Sequence, residues 1–304
     1  MKYVITGGAG HISKLLTEKL LDAGHEVTVI GRNAKNLAGL VTRGAKAAIG
    51  SVEDLDFLIS SFMGADAVYT MVPPPGFAVK NWKALIGQIG KNYAQAIGAN
   101  HIKYVVNLSS VGADMEDGAG PVSGLYHAEQ ALNELGNINI KHLRPGYFFN
   151  NLLSNVGMIR NLNMMGANFG GPDMKLVMVA TEDIAHVAAE QLLACDFKGH
   201  SVEYIAGDER TADEIAKILG TAIGKPSLQW MVFNDEQALN GMIQAGLPME
   251  MAKNFVEMNI ALRNGTMAAD YWKNRPANLQ KTKLEDFAKL FAKIYNEEEI
   301  AVNH

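Results

Sequence analysis

The sequence predicts an α/β protein: a doubly wound parallel sheet followed by a smaller, mainly helical C-terminal region. Three observations carry this. The chain opens with the apolar run Tyr3-Val4-Ile5, which ends in Thr6-Gly7-Gly8-Ala9-Gly10. Apolar residues then recur at Ile12, Leu15, Leu16, Leu20 and Leu21, the spacing of one helix face. Up to Gly146, short β-branched runs alternate with amphipathic helical stretches, and such alternation implies parallel strands joined by right-handed crossovers.

The opening strand, turn and helix are the first element. A glycine turn that runs into a helix N-terminus gathers backbone N–H groups and the positive end of the helix dipole at one point, where a pyrophosphate fits. Gly7 permits the turn, and Gly10 lets phosphate oxygens approach the backbone. His11 and Ile12 begin the helix, and the backbone of His11 is expected to face the phosphate while its imidazole is incidental. The third glycine of the usual pattern falls at position 13, where Ser13 is small enough for helix and strand to pack. A glycine turn in this context indicates a dinucleotide.

Residues 26–30 form the second strand, rich in β-branched residues and stopped by Gly31-Arg32-Asn33. An Asp or Glu at this strand end would accept from the ribose 2′-hydroxyl of NAD. Arg32 cannot accept, but it can hold a 2′-phosphate, and Lys35 adds charge three residues on. The expected cofactor is therefore NADP(H) in preference to NAD(H), unless Arg32 is simply a solvated loop cation. Residues 45–49 are a third strand. Ser51 and Val52 follow it, where an adenine edge rests in this architecture, and Ser51 or Asp54 caps the next helix. The fourth strand, 65–71, runs into Val72-Pro73-Pro74-Pro75. Prolines cannot donate to a sheet, so the strand ends there and sets Met71, Val72 and Pro73 at the carboxyl edge, the ligand side of a parallel sheet. A helix over 79–97 follows, with Gly98 placed to end it. The fifth strand, 101–108, ends in Ser109-Ser110, and a helix follows over 126–135. The sixth, 138–143, ends in Arg144-Pro145-Gly146.

Beyond Gly146 the pattern loosens. Tyr147-Phe148-Phe149-Asn150-Asn151 precede Met158, Met164, Met165, Phe169 and Met174, set among glycines and asparagines. This is neither clean helix nor clean strand. It reads either as an apolar wall over the cofactor crevice or as a connector whose methionines fill gaps. Strands at 175–180 and 201–206, a capping box at Thr211-Ala212-Asp213-Glu214, a short strand at 228–233, a methionine-rich helical stretch over 234–265 and an amphipathic helix over 284–295 complete the chain. The expected organisation is a dinucleotide domain over 1–150, with later sheet pieces from about 175–210. A smaller cap over 151–304 is interleaved with it.

Composition narrows the class. With 304 residues, 48% hydrophobic and 19% charged, the chain is ordinary for a globular protein with a large core. A net charge of −5 without a Lys/Arg cluster argues against nucleic acid. The lone Cys195 excludes an intrachain disulfide, and the 8 histidines show no metal-ligand spacing. No apolar stretch is long enough to span a membrane. The chain starts on its first strand, leaving no room for a signal peptide, so a cytoplasmic protein is expected.

Thr6-Gly7-Gly8-Ala9-Gly10, Arg32-Asn33, Leu108-Ser109-Ser110, Glu129, Leu143-Arg144-Pro145-Gly146, Asn151 and Asp183-Ile184-Ala185 resemble the NmrA-like branch of the atypical short-chain dehydrogenases. Asp213-Glu214-Ile215-Ala216, Gly246-Leu247-Pro248 and Leu284-Glu285-Asp286-Phe287-Ala288 extend the likeness over almost the whole chain. The resemblance implies a Rossmann domain that binds NAD(P), usually NADP, and a small C-terminal domain that closes a substrate cleft. Such families include quinone and dye reductases, and also cofactor sensors that regulate protein partners and catalyse nothing.

In active short-chain dehydrogenases a Tyr transfers the proton and a Lys four residues on lowers its pKa, one helical turn stacking the two side chains. Anchored on Glu129 and Arg144, these positions fall at Pro121 and Leu125. Read from Tyr126 instead, the lysine position is Gln130. The dyad is absent either way. Ser109, or its neighbour Ser110, is a candidate for the substrate carbonyl or a strand-end cap. Tyr126 and His127 are candidate proton donors or packing residues. Tyr147, Phe149 and Asn151 are expected in the substrate cleft. A quinone or dye takes hydride without a side-chain acid, because the cofactor carries the chemistry. The expected activity is hydride transfer from NADPH to a quinone or similar conjugated small molecule; the alternative is a non-catalytic NADP(H) sensor with a protein partner.

Overall fold

A computed structural model describes residues 1–302, with side chains as far as Glu297. Its first half alternates strand and helix: β1 (Lys2–Ile5), α1 (His11–Asp22), β2 (Glu26–Gly31), α2 (Ala34–Thr42), β3 (Lys46–Ile49), α3 (Leu55–Phe62), β4 (Ala67–Thr70), α4 (Trp82–Ala99), β5 (Tyr104–Leu108), α5 (Pro121–Asn133) and β6 (Asn139–Pro145). Beyond these come β7 (Tyr147–Phe148), a 3₁₀ turn (Phe149–Asn155), α6 (Val156–Leu162), β8 (Met165–Ala167), β9 (Lys175–Val179) and α7 (Thr181–Ala194). Next are β10 (His200–Ile205), β11 (Asp208–Thr211), α8 (Ala212–Ala222) and β12 (Trp230–Val232). Four helices end the chain: α9 (Asp235–Gln244), α10 (Met249–Arg263), α11 (Ala269–Lys273) and α12 (Leu284–Val302).

Seven strands make one parallel sheet in the order β10-β6-β5-β4-β1-β2-β3. From β1 the chain winds outward through β2 and β3, then returns to the other side of β1 at β4. The carboxyl ends of β1 and β4 therefore flank a topological switch point, where open α/β sheets bind ligands. Both faces of the sheet are covered. Tyr3 and Ile5 pack with Leu16, Leu20, Leu37, Ile184 and Leu192 of α1, α2 and α7, whereas Val4 packs with Leu58, Phe62, Ile89, Tyr93 and Leu132 of α3, α4 and α5. This strict alternation along a short apolar strand is what a doubly covered parallel sheet requires.

The late strands divide. β10 joins the main sheet beside β6 as a seventh strand, while β9 pairs with β7 and β11 in a separate three-stranded sheet, and β12 pairs with β8. The methionine-rich stretch is ordered as α6 and β8. Met165 and Phe169 are buried in a second apolar cluster with Phe149, Leu219, Trp230 and Phe291, so they fill a core. α4 runs one residue past Gly98, and its C-cap is Asn100, before His101 turns the chain with φ 52°.

Local caps follow the side chains that favour them. Asp54, rather than Ser51, caps α3 by accepting from the Phe57 N–H at 3.0 Å. Thr211 and Glu214 close a capping box on α8. No helix among the described residues is long and apolar enough to cross a membrane, and no group of His, Cys, Asp and Glu among them is arranged to hold a metal ion.

Candidate functional site

Two cavities lie along the carboxyl edge of the sheet. A groove of about 670 Å³ runs over the glycine turn, and a cleft of about 760 Å³ lies between the ends of β4 to β6 and the elements from β7 onward. Pro73 and Pro74 line both, so the two are continuous at the end of β4.

The groove is built on the first βαβ unit. Gly7 has φ 91°, and a Cβ there would stand 2.5 Å from Ser13 Oγ and 2.9 Å from the Met71 side chain. Only glycine fits. Gly10 is the N-cap of α1, and the first turn of the helix leaves N–H groups without intrahelical acceptors beside it. Ser13 is buried and its Oγ donates to the Thr6 carbonyl at 2.8 Å, so the serine at the third glycine position bonds helix to strand rather than merely fitting between them. The Thr6 hydroxyl in turn accepts from Met71 N at 2.9 Å, and Tyr93 donates to the Met71 carbonyl at 2.7 Å. The turn, the end of β4 and α4 are thus held as one unit.

Arg32 lines the groove with its side chain exposed, and no hydrogen bond or ion pair engages its guanidinium among the described residues. Ser51 and Val52 form the far wall. Asn92 of α4 donates to the carbonyls of Val52 and Glu53 at 3.3 and 3.0 Å and fixes that loop. The groove therefore offers glycine backbone, helix-terminal N–H groups, a free cation and a shaped loop in one line, the donor set a phosphorylated dinucleotide needs.

The cleft is mainly apolar. Leu108 and Val111 form its floor, with Met71, Val72, Trp82 and Ile86 on one side. Pro121, Val122 and Leu125 of α5 form another wall, so the two positions of the missing dyad face the cleft as a ring and an alkyl chain. Against this wall packs α10, whose Met251, Phe255, Met258 and Leu262 all line the cleft. Their spacing of four, three and four is one helix face, a signal present in the sequence that reading the stretch only as methionine-rich missed.

Few polar groups enter this cleft. Ser109 is buried and its Oγ has no hydrogen-bond partner, an orphaned donor and acceptor at the end of β5. An unpaired hydroxyl in such a place is costly unless something outside the protein pairs it. Ser110 Oγ is committed to the Val111 carbonyl at 2.9 Å. Tyr147 and Asn151 line the cleft beside Gly146.

Several expected site residues lie elsewhere. Tyr126 and His127 are outside the cleft lining. They follow Leu125 on α5 and turn away from its face by about 100° and 200°. His127 is exposed and abuts Gly87 of α4. Phe149 is fully buried, stacked on Phe287 at 5.7 Å, because the 3₁₀ turn carries it beneath the cleft into the second core. Ile12 is buried in the first core, and His11 and Lys35 are exposed outside the groove lining.

A buried polar layer supports the site from behind. Arg144 holds Glu129 through two bonds, Nε to Oε1 at 3.0 Å and Nη2 to Oε2 at 2.6 Å, and donates to the Tyr204 hydroxyl at 3.1 Å. Burial opposes the Arg144 charge, but Glu129 outweighs it and holds the guanidinium above its usual range. Tyr204 donates to Asp270. In the same layer Thr70 donates to Asn107 at 2.8 Å, and Asn107 and Asn133 bracket the ring of His142 at 3.1 and 3.0 Å.

A family model for the NmrA-like family matches residues 2–301. The chain belongs to the NmrA-like family. Its fold is shared with the NADPH-dependent quinone oxidoreductase of Escherichia coli, 19% identical, with a TM-score of 0.77 over 98% of this chain and 99% of that one. It is shared also with the triphenylmethane reductase of a Citrobacter species, 19% identical, with a TM-score of 0.77 over 96% of this chain and all of that one. Among curated relatives, the festuclavine synthase II of Penicillium roqueforti is 30% identical over 167 residues, 54% of this chain and 56% of that protein. The matched stretches span 19% to 56% of the length of the curated relatives.

Proposed function

We propose that this NmrA-like chain is an NADP(H)-dependent reductase that passes hydride to a quinone or a similar planar conjugated molecule. The observation that carries the reading is the junction at Pro73 and Pro74, where a glycine-turn groove opens into an apolar cleft with an orphaned serine hydroxyl in its wall. In this reading the groove takes the adenosine and pyrophosphate half, with Arg32 on the 2′-phosphate, and the residues after 150 cap the cleft. Ser109 Oγ pairs with the nicotinamide end or the acceptor. The likeness in fold to a quinone oxidoreductase and a dye reductase supports the acceptor class.

When bound, NADPH supplies the hydride. The work left to the chain is positioning and exclusion of water. Trp82, Ile86, Leu125, Phe255 and Met258 form a wall against which a flat ring system packs. With Pro121 and Leu125 in place of the dyad, no lysine is set to lower a tyrosine pKa, which disfavours oxidation of simple alcohols and favours acceptors that are electrophilic in themselves. An enzyme living on NADPH with one unpaired thiol suits the cytoplasm.

The test is purified protein with NADPH and a panel of quinones and cationic dyes, followed at the nicotinamide absorbance. Turnover with at least one acceptor supports the reductase. Binding of NADPH without turnover on any acceptor removes it and favours a cofactor sensor acting through a protein partner.

A further inference from the structure

We propose that the Tyr147 hydroxyl is the hydrogen-bond donor that holds the acceptor oxygen of a quinone during hydride transfer. This rests on the reductase reading above. The position of Tyr147 is tightly set. A Cβ on the preceding Gly146 would stand 2.5 Å from the Val177 carbonyl, so β7 crosses beside β9 at a separation only glycine allows. Tyr147 pairs with Met178 across those strands, and its ring meets Phe169 edge-on, with centroids 6.3 Å apart.

The ring is half-buried in the cleft wall, yet the hydroxyl is not sealed and bonds to no other group among the described residues. Burial pushes its pKa up to about 12, so it keeps its proton through neutral pH and can only donate or accept as a neutral phenol. Two other polar groups of the cleft are committed elsewhere. Ser110 bonds the Val111 carbonyl, and Arg263 holds Asp235 and the Asn168 carbonyl.

The chemistry makes this separable from general packing. A quinone that receives hydride gains two electrons and one proton and becomes a hydroquinone monoanion, NADPH leaves as NADP⁺, and water supplies the second proton. Negative charge develops on oxygen, where a fixed donor stabilises the transition state. A cationic triarylmethyl dye takes the same hydride on its central carbon and becomes neutral. No oxyanion forms, and a phenol donor has nothing to stabilise.

Tyr147→Phe keeps the ring and removes the donor. The expected result is a fall of about 10- to 100-fold in kcat/KM for a quinone, with dye reduction within about two-fold of the unaltered protein. The NADPH dissociation constant, read by nucleotide fluorescence, and the thermal midpoint are expected to stay unchanged. No loss with the quinone, or an equal loss with both acceptors, overturns the assignment. If the unaltered protein binds NADPH and reduces neither acceptor, the reductase reading falls and takes this inference with it.

Discussion

The Ser13 hydroxyl donates to the carbonyl of Thr6 at 2.8 Å, and through it the first helix is pinned to the first strand directly beneath the glycine turn. The same threonine receives the Met71 N–H through its side chain, and Tyr93 holds the Met71 carbonyl. Groove and cleft therefore share one rigid support at the ends of β1 and β4. A glycine at position 13 would allow equally close packing but would not make this bond.

Restoring the usual pattern with Ser13→Gly is accordingly expected to destabilise the protein. The lost buried hydrogen bond and the extra backbone freedom in a helix together cost about 1–2 kcal/mol. Ser13→Ala is expected to lose about 1 kcal/mol, from the bond alone. Chemical denaturation of the three proteins checks both the size and the order.

Arg32 is free at the rim of the groove. Arg32→Asp replaces a partner for a 2′-phosphate with one for a 2′-hydroxyl. The expected outcome is a dissociation constant for NADPH raised by about 10- to 100-fold and one for NADH changed far less. Titration of the two nucleotides against both proteins measures it. Equal losses would mean that Arg32 does not read the 2′ position.

His142 sets a pH dependence of stability. Asn107 uses its carbonyl to accept from Thr70, so its amide donates to Nδ1, and Nε2–H donates to Asn133, which is the neutral ring. Burial pushes the pKa down to about 4. In the unfolded chain the imidazole takes its proton near its ordinary value of about 6.5. Between these values the unfolded state binds more protons, so stability is highest above about pH 6.5 and falls as pH drops toward 4. The span amounts to about 3 kcal/mol. Thermal midpoints recorded from pH 7 to 4.5 are expected to fall more steeply for the unaltered protein than for His142→Asn.

Glu129 is 1% exposed and Arg144 7% exposed, so their ion pair is shut away from water. Glu129→Ala leaves the guanidinium with only Tyr204 and the more distant carboxylates of Asp270 and Asp114, at 3.5 and 4.0 Å. Removing one partner of such a pair costs about 3–5 kcal/mol. Glu129→Gln keeps the shape and one acceptor, and is expected to cost less. Urea midpoints of the two variants test the order.

The sequence disclosed the sheet and the glycine turn because their signals are local. Tyr3-Val4-Ile5 and the glycines after it can form little else, and Arg32 follows the second strand at a fixed distance. Sheet membership is not local. Residues 175–179 and 200–205 are equally β-prone, but only the second run joins the main sheet, since the choice depends on which neighbours β6 leaves open. Helix phase decided the fate of Tyr126 and His127. Pro121, Val122 and Leu125 take the cleft face, and residues one and two further on cannot share it. Phe149 looked like a continuation of Tyr147-Phe148, yet a 3₁₀ turn begins at that residue and reverses its direction. The apolar face of α10 was readable as spacing, but that it closes a cleft over Pro121 and Leu125 follows only from tertiary packing.

Hydride transfer from NADPH in the groove to a conjugated acceptor in the cleft can be followed in a single-turnover experiment. Protein in excess over NADPH is mixed with a quinone, and the nicotinamide absorbance is followed with ordinary and 4-deuterated cofactor. The expected result is complete loss of the absorbance, at a rate that saturates with quinone and is slower with the deuterated hydride. Tight NADPH binding with an absorbance that persists at every quinone concentration, and with a cationic dye in its place, would contradict it.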